Sequence, residues 1–168
     1  MQEIIVAANE AGQRLDKMLA KYLNEAPKSF LYKMLRKKNI VLNGKKATGN
    51  EKLAVGDSVK LFLADETIAK FSNIHAVHTN VTLDIIYEDE NVLLINKPVG
   101  MLSQKAVADD ESLVEHIISY MLETRQLTEE ELRKFRPSVC NRLDRNTSGL
   151  VAAGKSLAGL QEMGTLFK

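Results

Sequence analysis

The amino-acid sequence predicts an α+β protein with a small α/β domain at residues 1–63, a linker at 64–80 and the leading part of a mixed α/β domain at 81–168. Three observations predict this organisation. Apolar side chains recur at helical spacing near the start of the chain, short apolar runs typical of strands occur in both halves, and the stretch between the halves shows neither period. A chain of 168 residues has room for one ordinary domain, or for a small domain and part of a larger one.

The first domain is predicted to contain two helices and two strands. Five apolar residues at i, i+3, i+4, i+7 and i+8 indicate the first helix: Leu15, Met18, Leu19, Tyr22 and Leu23. Pro27 starts the second helix, over residues 28–38, because proline suits the first turn of a helix. Residues 40–42 form a predicted strand that ends in a tight Asn-Gly turn, and residues 59–63 alternate as a half-buried strand does.

The second domain alternates strands, helices and one long polar loop. Its predicted strands are residues 83–87, 92–95 and 150–153, and its predicted helices are 113–121, 129–135 and 157–167. The second strand stops at a Lys-Pro-Val-Gly sequence, where proline and glycine end regular pairing. A polar loop occupies residues 141–149 and precedes the last strand.

Charge is distributed unevenly along the chain, although the net charge is only +1. Residues 1–63 carry 12 Lys and Arg against 6 Asp and Glu, a net +6, whereas residues 64–168 carry 11 against 16, a net −5. Such asymmetry points to a nucleic-acid-binding module joined to another domain.

Composition excludes several classes of protein. No apolar run approaches the roughly 20 residues of a transmembrane helix, and the N-terminus lacks the pattern of a signal peptide. The single cysteine, Cys140, cannot form an internal disulfide, and no Cys/His cluster has the spacing of metal ligands. We therefore expect a cytoplasmic protein without a Cys/His metal site or a membrane partner.

A basic stretch between Lys28 and Lys46 has no acidic residue. Its seven cations are Lys28, Lys33, Arg36, Lys37, Lys38, Lys45 and Lys46. Lys33, Arg36 and Lys37 are spaced i, i+3 and i+4, so they share a helix face, and such uncompensated charge attracts phosphate. A solvated lysine-rich surface explains the charges equally well when they are considered alone.

The order of segments in this region resembles the S4 RNA-binding domain. Residues 14–17 (RLDK), the basic helix, residues 40–45 (IVLNGK) and residues 55–59 (VGDSV) carry the resemblance, which covers roughly residues 12–63. It implies a module whose basic helix and following turn bind structured RNA. The expected RNA-binding residues of this module are Lys33, Arg36, Lys37, Lys38, Lys45 and Lys46.

The polar loop contains one carboxylate, Asp144, between Arg142 and Arg145. Nearby opposite charges favour the ionised form of an acid. Thr147 and Ser148 are predicted to hydrogen-bond the local backbone and hold the loop rigid. Such a loop suits a nucleophile or a base that acts on a phosphate-bearing substrate, but a purely structural Asp–Arg pair explains the same residues.

The whole decapeptide at residues 141–150 (NRLDRNTSGL) resembles the catalytic motif of the RluA-type pseudouridine synthases. Residues 86–90 (IYEDE) and 95–101 (INKPVGM) resemble the first motif of that family, in which an S4 domain in front is common. The resemblance implies that Asp144 is the catalytic aspartate and that Arg142 helps to hold the target nucleotide out of its stack. Asn141 replaces the commoner His, with little expected loss of activity.

The implied reaction converts uridine to pseudouridine in structured RNA, with ribosomal RNA expected rather than transfer RNA. The bond between uracil N1 and ribose C1′ breaks, and the base turns and rejoins through C5, without metal, cofactor or energy source. Whether Asp144 attacks the sugar or the base, or removes a proton, is left open. So are the target uridine and the oligomeric state.

Two rival functions remain at this level. An RNA-binding-only protein, with an incomplete and inactive catalytic domain, is the alternative; an aspartate-based hydrolase lacks a second carboxylate or a metal cluster. Family members continue beyond this loop and supply a tyrosine and a basic partner for the aspartate, for which only Lys155 and Lys168 are remote candidates. The resemblance therefore implies a C-terminally truncated chain, which we expect to be inactive by itself.

Overall fold

The computed structural model describes residues 1–73 and 78–168. The described residues fall into two compact units: residues 1–73 with 133–135, and residues 78–132 with 136–168. Residues 74–77, part of the predicted linker, lie outside the described residues.

The first unit has a four-stranded antiparallel sheet and three helices. Its elements are β1 (Gln2–Ile5), α1 (Leu15–Tyr22), α2 (Lys28–Arg36), β2 (Ile40–Leu42), β3 (Lys45–Lys46), β4 (Ser58–Leu61) and α3 (Asp65–Phe71). The strand order is β1-β4-β2-β3. The predicted apolar face of α1 is buried in a core that also includes Leu31 and Leu35 of α2, Ile40 of β2 and Val59 of β4. Both predicted helices of this unit are thus confirmed.

Three elements of the first unit differ from the sequence prediction. Strand β3 (Lys45–Lys46) follows the predicted Asn-Gly turn and pairs with β2, but it was not expected as a strand. Strand β1 was not expected, because four residues with one buried side chain, Ile4, give no visible alternation. Helix α3 lies inside the segment predicted to be a linker. Its single fully buried residue, Ile68, joins the first core and is too little to produce a helical period.

The second unit has another four-stranded antiparallel sheet with three helices. Its elements are β5 (Ile85–Glu88), β6 (Val92–Lys97), α4 (Leu113–Glu123), α5 (Glu129–Leu132), β7 (Ser138–Val139), β8 (Gly149–Gly154) and α6 (Leu157–Leu166). The strand order is β5-β6-β8-β7. The predicted mixture of helices and sheets is confirmed, whereas β7 was not predicted and α5 covers only the first turn of the helix expected at 129–135.

The register between β6 and β8 determines which loops become neighbours. Six residue pairs join the two strands, from Val92 opposite Gly154 to Lys97 opposite Gly149. The carboxyl end of β6 therefore lies beside the amino end of β8. Consequently the segment that follows Lys97 and the polar loop that precedes Gly149 leave the sheet at the same end of these two strands.

Helix α4 covers one face of this sheet. Leu113, Ile117 and Ile118 are buried against Ile95 of β6 and Val151 of β8 in the second core. The helix begins at a capping box in which the side chains of Ser112 and Glu115 each bond the other's backbone N–H. No helix in the described ranges is both long enough and apolar enough to cross a bilayer.

Candidate active site

Asp144 lies in the loop that joins β7 to β8, called here the aspartate loop (residues 140–148). Its neighbour is the segment that follows β6, called here the support loop (residues 98–103). Three groups connect the two: the backbone N–H of Gly100, the ammonium of Lys97 and the hydroxyl of Ser103. The two sequence motifs are thus brought together in one place.

Gly100 makes the direct backbone connection. Its N–H donates to the carbonyl oxygen of Arg145 at 2.7 Å. The residue has φ +92°, a left-handed conformation that residues with a side chain rarely adopt. A glycine at this turn therefore allows the support loop to present its N–H to the aspartate loop.

Lys97 is fully buried at the end of β6, with no exposed surface. Its ammonium donates to the carbonyl oxygens of Met101 at 2.7 Å, Pro98 at 3.1 Å and Arg145 at 3.5 Å. Burial lowers the pKa of this ammonium, and the nearby carboxylate of Asp144 opposes the shift without reversing it. Lys97 therefore braces both loops and places a positive charge near Asp144.

We expect Lys97→Met to destabilise the protein by about 2 kcal/mol, because three partly buried carbonyl groups lose their donor while the aliphatic stem is retained. Urea unfolding followed by circular dichroism measures the change. Lys105→Met is the matched control, since Lys105 is an exposed lysine whose ammonium donates to the carbonyl of Ala108. An equal loss in both variants would contradict the bracing role.

The carboxylate of Asp144 is exposed and makes no ion pair within the described parts of the chain. Its backbone carbonyl accepts from the N–H of Thr147 at 3.0 Å, which closes a turn. Arg142 is also exposed, and its guanidinium donates to Gln104 Oε1 at 3.4 Å. The structural Asp–Arg pair considered above is thus not formed, and the carboxylate is free to meet a substrate.

The source of the loop's rigidity differs from the prediction. The side chains of Thr147 and Ser148 are exposed, and no hydrogen bond from them is found in residues 1–73 and 78–168. Thr147 and Ser148 therefore do not hold the backbone here. Instead, Ser103 and Lys97 hold it from the support loop and Asn141 holds it from its own end. No local sequence signal indicates these partners.

Asn141 anchors the start of the aspartate loop to β8. Its side-chain amide donates to the carbonyl of Leu150 at 3.2 Å and accepts from the N–H of Ala152 at 2.8 Å. The preceding residue, Cys140, is half-buried, and burial raises the pKa of its thiol. Cys140 thus has the properties of a small buried residue rather than of a nucleophile.

Lys155 does not take the place of a partner for Asp144. Its ammonium pairs with Glu88 Oε1 at 2.8 Å and donates to the carbonyl of Asp89 at 2.7 Å. Lys155 follows the last residue of β8, whereas Asp144 precedes the first, so the strand separates them. Lys168 ends the chain, exposed, and is not placed at the site by any described side-chain contact.

The predicted RNA-binding residues other than Arg142 all lie in the first unit and are exposed. Lys33 and Arg36 are in α2, Lys37 and Lys38 follow its last turn, and β3 is Lys45–Lys46. None of these side chains makes an ion pair with another described residue. Their charge is therefore open to solvent.

No three His, Cys, Asp or Glu side chains come together as metal ligands in the described portion of the chain. The charged groups at the aspartate loop are the carboxylate of Asp144, the buried ammonium of Lys97 and the exposed guanidinium groups of Arg142 and Arg145.

Both loops lie in a region that matches a known protein family. The family described as RNA pseudouridylate synthase matches residues 91–168, which include both loops. Residues 91–168 of this chain are thus similar to that family.

Curated relatives extend the similarity to most of the chain. The ribosomal large subunit pseudouridine synthase C of Salmonella typhimurium is 32% identical over 168 residues, covering 95% of this chain and 48% of the relative. An uncharacterized RNA pseudouridine synthase of Mycoplasma capricolum is 33% identical over 159 residues, covering 93% and 51%. This chain spans about half the length of the curated relatives it matches. A crystal structure of a pseudouridylate synthase aligns over 88% of this chain and 49% of its own, at 20% identity and a TM-score of 0.29.

Proposed function

We propose that the protein, as its full-length product, isomerises uridine to pseudouridine in structured RNA, with ribosomal RNA as the substrate class. The observation that carries the proposal is the state of Asp144: an exposed carboxylate without an ion pair, on a loop whose backbone is fixed by buried groups. A reactive group needs this combination of access and fixed geometry.

Asp144 is the proposed catalytic residue, and Arg142 is proposed to contact the target nucleotide. A base inside a folded RNA is stacked, so it must leave the stack before its bond to the sugar can be changed, at a cost of a few kcal/mol. An exposed guanidinium two residues from the carboxylate is suited to occupy the position that the base leaves.

Residues 1–63 are proposed as an S4-like RNA-binding domain, with residues 81–168 as the leading part of the synthase domain. The exposed cations in and after α2 support this proposal, since no described acid pairs with them. Asp16, in α1, pairs instead with Arg14 at 2.6 Å and accepts from the hydroxyl of Tyr32 at 2.8 Å. Burial would raise the pKa of Asp16, but these hydrogen bonds outweigh it and the pKa lies below its usual value.

The names of the relatives support ribosomal RNA as the substrate, because several are named for the large ribosomal subunit. The binding-only alternative is less well supported, since a chain that only held RNA would have no need of a braced carboxylate loop. We keep the cytoplasm as the proposed location, in agreement with a single free cysteine.

The test is tritium release from C5-labelled uridine in RNA incubated with the purified full-length protein. We expect release with fragments of large-subunit ribosomal RNA, in the presence of EDTA, and little release with transfer RNA transcripts. Mass spectrometry of the digested RNA locates the modified position. If neither RNA releases tritium, the proposed activity is wrong.

A further inference from the structure

Ser103 lies in the support loop and is almost fully buried, with 4% of its surface exposed. Its hydroxyl donates to the carbonyl oxygen of Leu143 at 2.7 Å and accepts from the N–H of the same residue at 3.0 Å. One side chain thus satisfies both backbone groups of a single residue 40 positions away.

Leu143 lies between Arg142 and Asp144 in the sequence, so hydrogen bonds to its backbone affect both neighbouring residues. The N–H of Leu143 belongs to the peptide plane that contains the Cα atom of Arg142, and its carbonyl belongs to the plane that contains the Cα atom of Asp144. A hydroxyl bonded to both groups therefore fixes both planes. It thereby limits the directions in which the two side chains leave the backbone.

Ser103 is itself held by rigid structure. The preceding residue, Leu102, pairs with Ser112 in a short parallel bridge, and its carbonyl accepts from the N–H of Leu113 at 2.7 Å, at the start of α4. The side chain of Leu143 is also confined, because it packs against the second core. Ser103 therefore connects the aspartate loop to the first turn of α4, and this connection fixes the position of Leu143.

We propose that Ser103 is a positioning residue for the isomerisation, whose hydroxyl sets the relative direction of Arg142 and Asp144 at the target nucleotide. This inference rests on the function proposed above. Ser103 does not touch the substrate in this role; it acts through the backbone of Leu143.

The matched control is Ser119 of α4. Ser119 is equally buried, and its hydroxyl donates to the carbonyl of Thr79 at 3.2 Å and accepts from the N–H of Thr79 at 2.9 Å. Each serine thus makes the same pair of hydrogen bonds to the backbone of a single residue. For Ser103 that residue, Leu143, lies in the aspartate loop, whereas for Ser119 it is Thr79, outside the loop. Replacing each by Ala removes the same chemistry, so that a difference between the variants reports on position and not on stability.

The experiment measures single-turnover pseudouridine formation by the full-length protein at saturating ribosomal RNA, together with the RNA Kd and the urea unfolding midpoint. We expect Ser103→Ala to lower the rate about a hundredfold, the size of effect that misplacement of a catalytic group causes. The Kd should be unchanged. Ser103→Thr, which keeps the hydroxyl, should recover most of the rate. Ser119→Ala should match Ser103→Ala in unfolding midpoint and the wild type in rate.

The outcomes separate the positioning role of Ser103 from the proposed function. A wild-type rate in Ser103→Ala, or an equal loss of rate in Ser119→Ala, overturns the positioning role while leaving the proposed function intact, provided that Asp144→Asn is inactive in the same assay. A wild-type protein that forms no pseudouridine overturns the proposed function and the positioning role together.

Discussion

Asp144→Asn in the full-length protein is expected to abolish pseudouridine formation, with a loss of about a thousandfold or more. The reason is that the proposed catalytic carboxylate loses its charge and its nucleophilic or basic character. Asparagine has nearly the same shape as aspartate. Asp144 makes no ion pair with another described residue, so the substitution breaks no salt bridge. The fold and the RNA affinity should therefore be retained, and tritium release from C5-labelled uridine measures the rate.

The matched control for this variant is Asp109→Asn. Asp109 is an exposed aspartate between the support loop and α4, and its replacement makes the same change of charge. We expect this variant to keep the wild-type rate. Substantial turnover by Asp144→Asn, with an intact circular dichroism spectrum, would show that another group carries the reaction.

Replacing Lys33, Arg36 and Lys37 together by Ala is expected to weaken RNA binding about a hundredfold at 0.1 M salt, if each cation contacts one phosphate. The slope of log affinity against log salt concentration should become shallower by about 2.1 to 2.7, since each of the three lost contacts removes about 0.7 to 0.9. Filter binding of structured RNA to the protein over a salt series measures both quantities.

The control replaces Lys70, Lys105 and Arg136, which are three exposed cations outside the basic stretch. This variant has the same net charge as the first triple variant. We expect its affinity and its salt dependence to stay close to those of the wild type. If the two triple variants lose the same affinity and the same salt dependence, the effect comes from total charge. The cations of the basic stretch then have no special role in binding.

The sequence was sufficient to predict elements with a clear apolar period. Helices α1 and α4 and strand β6 lie close to their predicted positions, because each buries apolar side chains at regular spacing. Strand β8 also lies close to its predicted position, as a short run whose last four residues are all buried. Strand β1 and helix α3 escaped prediction because each buries one residue. Their stability comes from pairing and packing with distant segments, which no local pattern records.

The roles of Asp144 and Arg142, which rest on motif resemblance, and that of the basic stretch, which rests on its charge pattern, stay predictions. The residues that hold the aspartate loop were not found from the sequence. Ser103 has no local feature that distinguishes it from an ordinary loop serine. Lys155 was considered as a partner for Asp144, although the six residues of β8, about 20 Å of extended chain, lie between them. Only the register between β6 and β8 shows that the support loop lies beside the aspartate loop and that Lys155 lies at the other end of β8.

The braces of the aspartate loop have a consequence for its dynamics. They join residues far apart in sequence: Ser103 and Leu143 are separated by 40 positions, and Lys97 and Arg145 by 48. Such contacts form only after a long segment of chain has closed, so the loop is ordered when β6 and β8 are paired and loses its braces when they separate. The loop and the ladder therefore open as one cooperative unit, in which the loop amides exchange their hydrogens together with those of the central strands. A ligand that binds the ordered loop accordingly stabilises the whole sheet.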